Sequence, residues 1–305
     1  MNQFFIPEII GWGGLVATVA LQAGTLTLKP VADTTLFAFE PNNNAGREAT
    51  MVVGGIRNAA SACRTLVRFD LGTNLPPGAI ITNVAITLTV TKDHGGPALQ
   101  LGFHRMLRDW VEGTKTGQAG GGPANPGEAT WNSRKNGNST WTDGVGGLGD
   151  FVAQASAIRA IANPATYTVD STAGLIADVI QWQTDPSTNF GWLLEAPQEA
   201  IKQSARRLAA RENPQKAMKL TIGFTVPPVS SGAPGLVFGR PFGGAIEMRF
   251  DGLAGIRYEL QTRSTVDEFS RWAPVRVIVP KVNQTVSHVV RTDQEARLFR
   301  LVLKP

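Results

Sequence analysis

The sequence predicts an all-β protein: a large antiparallel β-sandwich with one short helix, followed by a small second β-sandwich. Three observations lead to that reading. Apolar residues recur at period two through most of the chain, the mark of strands with one buried face. The 33 glycines and 19 prolines among 305 residues exceed the usual combined share of about 12%, so turns are frequent and strands short. Charged residues make up only 17% against 42% hydrophobic ones, which excludes a charge-driven disordered chain and a coiled coil.

The chain opens with an apolar run, IIGWGGLVATVAL at residues 9–21, of the length of an export-signal core, and Gln22-Ala23 puts a small residue at the candidate cleavage position. Residues 1–23 are therefore expected to be a signal peptide, although no Lys or Arg precedes the run. The run is too short and glycine-broken for a membrane span, and no later stretch is long enough to cross a bilayer. The expected location is secreted or cell-surface, with no integral membrane span after cleavage. A single cysteine, Cys63, excludes an internal disulfide and a zinc site built from several thiolates.

From residue 25 the alternation is plain. Val84, Ile86, Leu88 and Val90 form an aliphatic face opposite Asn83, Thr87, Thr89 and Thr91, as in an antiparallel strand with one wet face. The same pattern runs through Val67, Phe69 and Leu71, through Leu99, Leu101 and Phe103, and through Leu220, Ile222, Phe224 and Val226. One segment departs from it. Leu175, Ile176, Val179 and Ile180 repeat at helical spacing after Ser171-Thr172, which can cap a helix, and Asp185-Pro186 ends it. Residues 113–128, rich in turn formers, predict a surface loop. The domain limits follow: a sandwich over 25–226, a Pro/Gly/Ser linker over 227–244, and a small sandwich over 245–305 built from alternations such as Ile246, Met248, Phe250 and Val275, Val277, Val279.

The first domain also resembles a known family. Ala32-Asp33-Thr34-Thr35, Pro41-Asn42-Asn43-Asn44-Ala45-Gly46 and Arg64-Thr65-Leu66-Val67-Arg68-Phe69-Asp70-Leu71 are similar to the opening of DNRLRE domains. Asp109-Trp110-Val111-Glu112-Gly113, Gly127-Glu128-Ala129-Thr130-Trp131, Phe190-Gly191-Trp192 and Arg211-Glu212-Asn213-Pro214 continue the likeness to about residue 226. The resemblance implies a jelly-roll-like sandwich of secreted bacterial and archaeal proteins, overlapping family 96 of carbohydrate-binding modules, and it implies binding, not catalysis. The C-terminal region is more loosely similar to fibronectin-like tail modules that end in an aromatic-Arg-Leu strand, here Phe299-Arg300-Leu301.

Sugar rings stack on aromatic faces while polar side chains read their hydroxyls. Trp110, Trp131 and Trp141 lie around the glycine-rich loop with Glu112 close by, so they are the candidate carbohydrate contacts; the competing reading makes these rings plugs beneath the loop. Arg64 and Arg68 share a strand face and can fork onto the carboxylates of an acidic polysaccharide. Arg206, Arg207 and Arg211 form a second basic group close in sequence, and for all these arginines surface pairing with Asp70 or Glu212 is the alternative. Asp33 and Asn42 offer hard oxygen ligands for a structural Ca2+.

The sequence speaks against an enzyme. The three histidines lack metal-ligand spacing, and no G-x-S-x-G elbow occurs. Asp109 and Glu112 are near in sequence, but a glycosidase pair needs a separation of about 5 Å or about 6.5–9.5 Å, and Glu112 suits a loop-holding role better. Gly144–Gly149 fits the dinucleotide pattern yet follows a polar segment where a buried strand is required. The net charge of +5 is concentrated after residue 226, where 11 basic side chains face 7 acidic ones. No nucleic-acid-binding motif accompanies it. The expected function is non-catalytic binding of an acidic extracellular or cell-wall polysaccharide. The alternative is a structural or adhesive surface protein whose partner is itself or another cell-surface protein.

Overall fold

The structure, a computed structural model, describes residues 22–76, 78–117, 120–226, 236–238, 245–263, 271–291 and 298–304. The apolar run at 9–21 lies outside them, as does most of the expected linker. The chain is an all-β protein with one α-helix, a large antiparallel sandwich followed by a small one.

The large sandwich has eleven principal strands: β1 Gln22–Leu28, β2 Pro30–Phe37, β3 Thr50–Gly55, β4 Ala62–Phe69, β5 Ile80–Lys92, β6 Leu99–Arg105, β7 Ala157–Ile161, β8 Ala165–Val169, β9 Trp192–Glu195, β10 Arg206–Ala209 and β11 Lys219–Val226. One sheet runs β1-β11-β5-β10-β3, with β8 also on β5, and the other runs β2-β4-β9-β6-β7. From β2 to β6 the chain alternates between the two sheets, the habit of a jelly roll. The strand β1 starts at Gln22, inside the segment read as export signal, and pairs Gln22 with Val226.

The sheets meet at a corner in β3. Its first residues pair with β10, while Gly54 and Gly55 pair with Cys63 and Ala62 of β4. Gly54 makes the change of sheet with φ of +99°, and a Cβ there would lie 2.5 Å from Leu99 Cδ1, so only glycine fits.

The period-two residues fill the space between the sheets. Val84, Ile86, Leu88 and Val90 of β5 are buried there with Val67, Phe69, Leu99, Leu101, Phe103, Leu220 and Ile222. The helix α1, Ala173–Thr184, is capped as the sequence predicts, with the Leu175 amide donating to Thr172 Oγ1. Its buried face is Leu175, Asp178, Val179 and Trp182, whereas Ile180 is 43% exposed. The difference has a cause at the far side: Trp182 packs edge-on against Trp192, 4.5 Å between centroids, and Trp192 Nε1 donates to the buried Asp178, which also pairs with Arg105 at 3.0 Å.

The second sheet is apolar on its outer face as well. Leu36, Leu66 and Leu193 point away from the sandwich interior into a separate core with Met106, Trp110, Ala129 and Trp141. The long segment between β6 and β7 therefore forms a lid over this face and is anchored by buried rings. Within it, the described residues of 113–128 are irregular and largely solvent-facing, the surface loop expected, apart from the two-residue pairing of Gly122–Pro123 with Asn43–Asn44.

The small sandwich packs Val237–Phe238, Ala245–Gly252 and Gln284–Arg291 against Ala273–Ile278, Arg257–Arg263 and Leu298–Lys304. Met248, Phe250, Tyr258, Leu260 and Leu301 form its core. Val237–Phe238 falls inside the stretch read as linker yet pairs with Arg249 and Met248; two apolar residues are too short a run to show alternation in a sequence rich in Pro and Gly.

Gly54→Ala is expected to lower the unfolding free energy by about 2 kcal/mol, from positive-φ strain and the clash with Leu99, measurable by urea denaturation followed through tryptophan fluorescence.

Candidate binding cleft

The candidate sugar contacts are located on the lid. Trp110 and Trp141 are each only 2% exposed. Their indole N–H groups donate to Phe190 O at 2.8 Å and Thr130 O at 3.0 Å. Neither ring has a face open to a ligand, so the plug reading holds for both. Trp131 is half-buried against Gly146, and the Arg64 guanidinium sits 5.4 Å from its ring centroid.

Arg64 and Arg68 do share a face, but both are turned into the lid. Arg64 forks onto Glu199 at 3.0 and 2.7 Å, lies 3.2 Å from Glu195, and donates to Gly146 O at 2.8 Å. Arg68 lies over Trp110, 5.7 Å from its centroid. Arg64 uses neither Asp70 nor Glu212, whereas Arg211 does pair with Glu212, at 3.3 Å, as the alternative reading expected. Spent in this way, Arg64 offers no fork to an external carboxylate.

Glu112 is a latch. Its carboxylate takes both Arg211 Nε and Nη2, at 2.5 and 2.7 Å, and accepts the Asp33 amide at 2.8 Å. Asp109 is held elsewhere, by Arg134 at 2.5 Å and by Lys135, and the Lys135 hydrogen bond keeps its carboxyl below the usual range. The two carboxylates are thus neutralised by different cations.

Asp33 and Asn42, the expected calcium ligands, each have a side-chain oxygen engaged by a protein donor. Asp33 is buried, with Oδ2 accepting the Arg211 amide, and burial pushes its carboxyl up to about 8, aided by Glu212 and Glu112. Asn42 is exposed, with Oδ1 taken by Asn132 Nδ2. Among the described residues no cluster of three or more His, Cys, Asp or Glu side chains is placed to hold a metal ion.

A concave site does exist on the other side of the corner, with a volume of about 230 Å3. Phe37 at the end of β2, Phe39 just beyond it, Val52 of β3 and Ile56 form its apolar floor, the two phenylalanines edge-to-face at 5.6 Å. Arg57, His94 and Arg207 add three basic groups to its lining, and Gly120 enters from the glycine-rich loop. The Ser61 hydroxyl builds the turn that presents Arg57, accepting from the amides of Arg57 at 2.6 Å and Asn58 at 2.9 Å. Next to Arg207, Arg206 is buried and gives its five N–H groups to the carbonyls of Ala162, Ser204, Ala205, Gly96 and Pro97. The field is positive: His94 is held below its ordinary value by burial first, then by Lys92, Arg207 and Arg206. Aromatic and cationic side chains lining one cleft suit a ligand with a ring face and a carboxylate or similar anion.

No family model matches the chain, and no curated protein does. The likeness to DNRLRE domains thus rests on sequence motifs such as Ala32-Asp33-Thr34-Thr35 and Asp109-Trp110-Val111-Glu112-Gly113. Among solved structures, the chain is similar to one titled "Structure of the Macrobrachium rosenbergii Nodavirus", at 12% identity over 99% of this chain and 91% of that one, with a TM-score of 0.24. A score that low bears on neither fold nor function.

Of the cleft residues, only Arg207 stood out in the sequence, as part of the Arg206-Arg207-Arg211 group. Phe37 and Phe39 leave a faint signal, two aromatics spaced by one residue as a strand runs into Pro41-Asn42. No helix among the described residues is long and apolar enough to cross a membrane.

The buried Asp33 sets a pH dependence. Its carboxyl titrates near 8 in the folded chain and near 3.8 when unfolded, so between these values the folded state holds the extra proton and stability falls as pH rises. Asp33→Asn is expected to flatten the decline in melting temperature between about pH 5 and pH 8, read by differential scanning calorimetry; Glu212 and Asp178, both raised by burial, leave a residual slope of the same sign.

Proposed function

We propose that this protein is a secreted or cell-surface, non-catalytic carbohydrate-binding protein, and that its large sandwich holds an acidic residue of an extracellular polysaccharide in the cleft at the sheet corner. The observation that supports this best is the lining of that cleft, which Phe37 and Phe39 share with Arg57, His94 and Arg207. A uronic acid has the matching halves: a face of C–H groups for the aromatic ring and a carboxylate for the guanidinium. The resemblance to DNRLRE domains and their overlap with carbohydrate-binding modules supports the same class of ligand. The binding residues are then Phe39, Arg57, His94 and Arg207, in place of the tryptophans and of Arg64, Arg68 and Glu112. A second reading, assembly with other copies of the chain, is favoured by a separate observation, the exposed valines around strand Ala273–Ile278.

The test is affinity electrophoresis of the full chain through gels containing alginate, pectin or neutral glucan. Retardation selective for the acidic polymers is expected, and Arg57→Ala with Arg207→Ala should weaken it at least about tenfold, the loss of two charge-assisted contacts. Because an anion in the cleft favours the imidazolium, binding should tighten as pH falls through the His94 titration below 6.5, and His94→Gln should abolish that component. Equal retardation by neutral glucan, or retardation indifferent to the double substitution, would sink the proposal.

A further inference from the structure

The strand Ala273–Ile278 is a terminal strand of its three-stranded sheet, paired among the described residues only with Arg257–Arg263. Val275, Val277 and the following Val279 are 41%, 45% and 53% exposed. An open edge bearing aliphatic side chains is a template for pairing, and folded proteins ordinarily blunt such edges with charge, proline or bulges. Here the blunting is partial. Pro274 and Pro280 flank the stretch, and a bulge near Val275 shifts the pairing between Leu260 and Gln261. Between the prolines, the five residues Val275–Val279 carry one charge, Arg276. Its guanidinium lies 3.4 Å from His288 Nδ1 on the neighbouring sheet.

The sequence of this edge also specifies what would cover it. Pro274-Val275-Arg276-Val277-Ile278-Val279-Pro280 reads symmetrically about Val277 in its valines and prolines. In an antiparallel pair, directly opposed residues share a face. Two copies paired with Val277 opposite Val277 would set Val275 against Val279, Arg276 against Ile278, and Pro274 against Pro280. Every outward valine would then meet a valine, no like charges would face each other, and the two residues that lack an N–H would close the ladder at both ends. Other registers fail: centring on Arg276 opposes two guanidinium groups, and centring on Ile278 opposes Val275 to Lys281.

We infer that this strand is a homodimerisation edge, pairing with the same strand of a second copy about a twofold axis through Val277 and joining two three-stranded sheets into one of six. Such an interface is isologous and closed, so it produces dimers and not fibres. The strand pairs in this way whatever the cleft binds.

Sedimentation velocity on the full chain tests it. A concentration-dependent monomer–dimer equilibrium is expected, and Val277→Lys, which places two ammonium groups opposite each other, should weaken it at least about tenfold. Val277 is exposed, so the melting temperature of that variant should match that of the parent chain at concentrations where both are monomeric. Under mild oxidation, Val277→Cys should form a disulfide-linked dimer by itself. Val275→Cys and Val279→Cys should cross-link efficiently only when mixed, since residue 275 meets 279; the native Cys63 is buried and silent. A chain that stays monomeric across the concentration range, or a dimer indifferent to Val277→Lys and without the 275–279 preference, would overturn the assignment.

Discussion

The constraint on which the rest of the molecule depends is that the sheet β2-β4-β9-β6-β7 is apolar on both faces. Leu66 and Val67 are neighbours in β4, point in opposite directions, and are both fully buried. An ordinary sandwich strand would place one of them in water. The outer face must therefore be covered by something other than the opposite sheet, and the segment between β6 and β7 supplies the cover with Met106, Trp110 and Trp141. At roughly 25 cal/mol per Å2 of buried apolar area, the tryptophans alone stabilise that docking by several kcal/mol.

The polar groups of the lid follow from the same need. A segment with so many glycines has few side chains with which to hold itself down, so ion pairs and carboxylate caps supplement its buried rings. Arg64 reaches Glu199 and the Gly146 carbonyl, Glu112 is gripped by Arg211, and Glu128 accepts from Thr114 and Asn125 at 2.8–3.0 Å. These pairs are partly or wholly shielded from water, where breaking one partner leaves an uncompensated charge. They bind distant parts of the chain: Arg64 and Glu199 are 135 residues apart.

That distance explains what was and was not legible in the sequence. The strand β5 could be read residue by residue, because alternation is a local property and Val84, Ile86, Leu88 and Val90 are buried as their spacing predicts. The helix cap at Thr172 was equally local. The role of Trp110 was not, because a tryptophan between polar neighbours in a glycine-rich segment reads alike whether it lies above or below the lid; only the outward turn of Leu66 and Leu193 decides it. The cleft was illegible for a related reason. Its floor and rim come from the ends of β2, β3, β5 and β10 and from the glycine-rich loop, five segments that the corner at Gly54 brings together. Ile180 shows the limit on the helix itself, where Trp192, a strand residue, draws Trp182 and Asp178 inward and leaves the isoleucine outside.

Arg206 has a consequence of another kind. Its five donors are matched by five carbonyls, so the guanidinium is fully hydrogen-bonded by neutral dipoles. Lysine, with three donors on a flexible stem, would leave carbonyls of this nest unpaired. Charge held in this way is out of reach of dissolved counterions, unlike that of the exposed Arg57, whose field falls off within a Debye length of about 8 Å at physiological ionic strength. The neighbourhood of His94 therefore sits against a built-in electrode: as salt rises, the surface contribution to the local potential fades while the contribution from Arg206 persists.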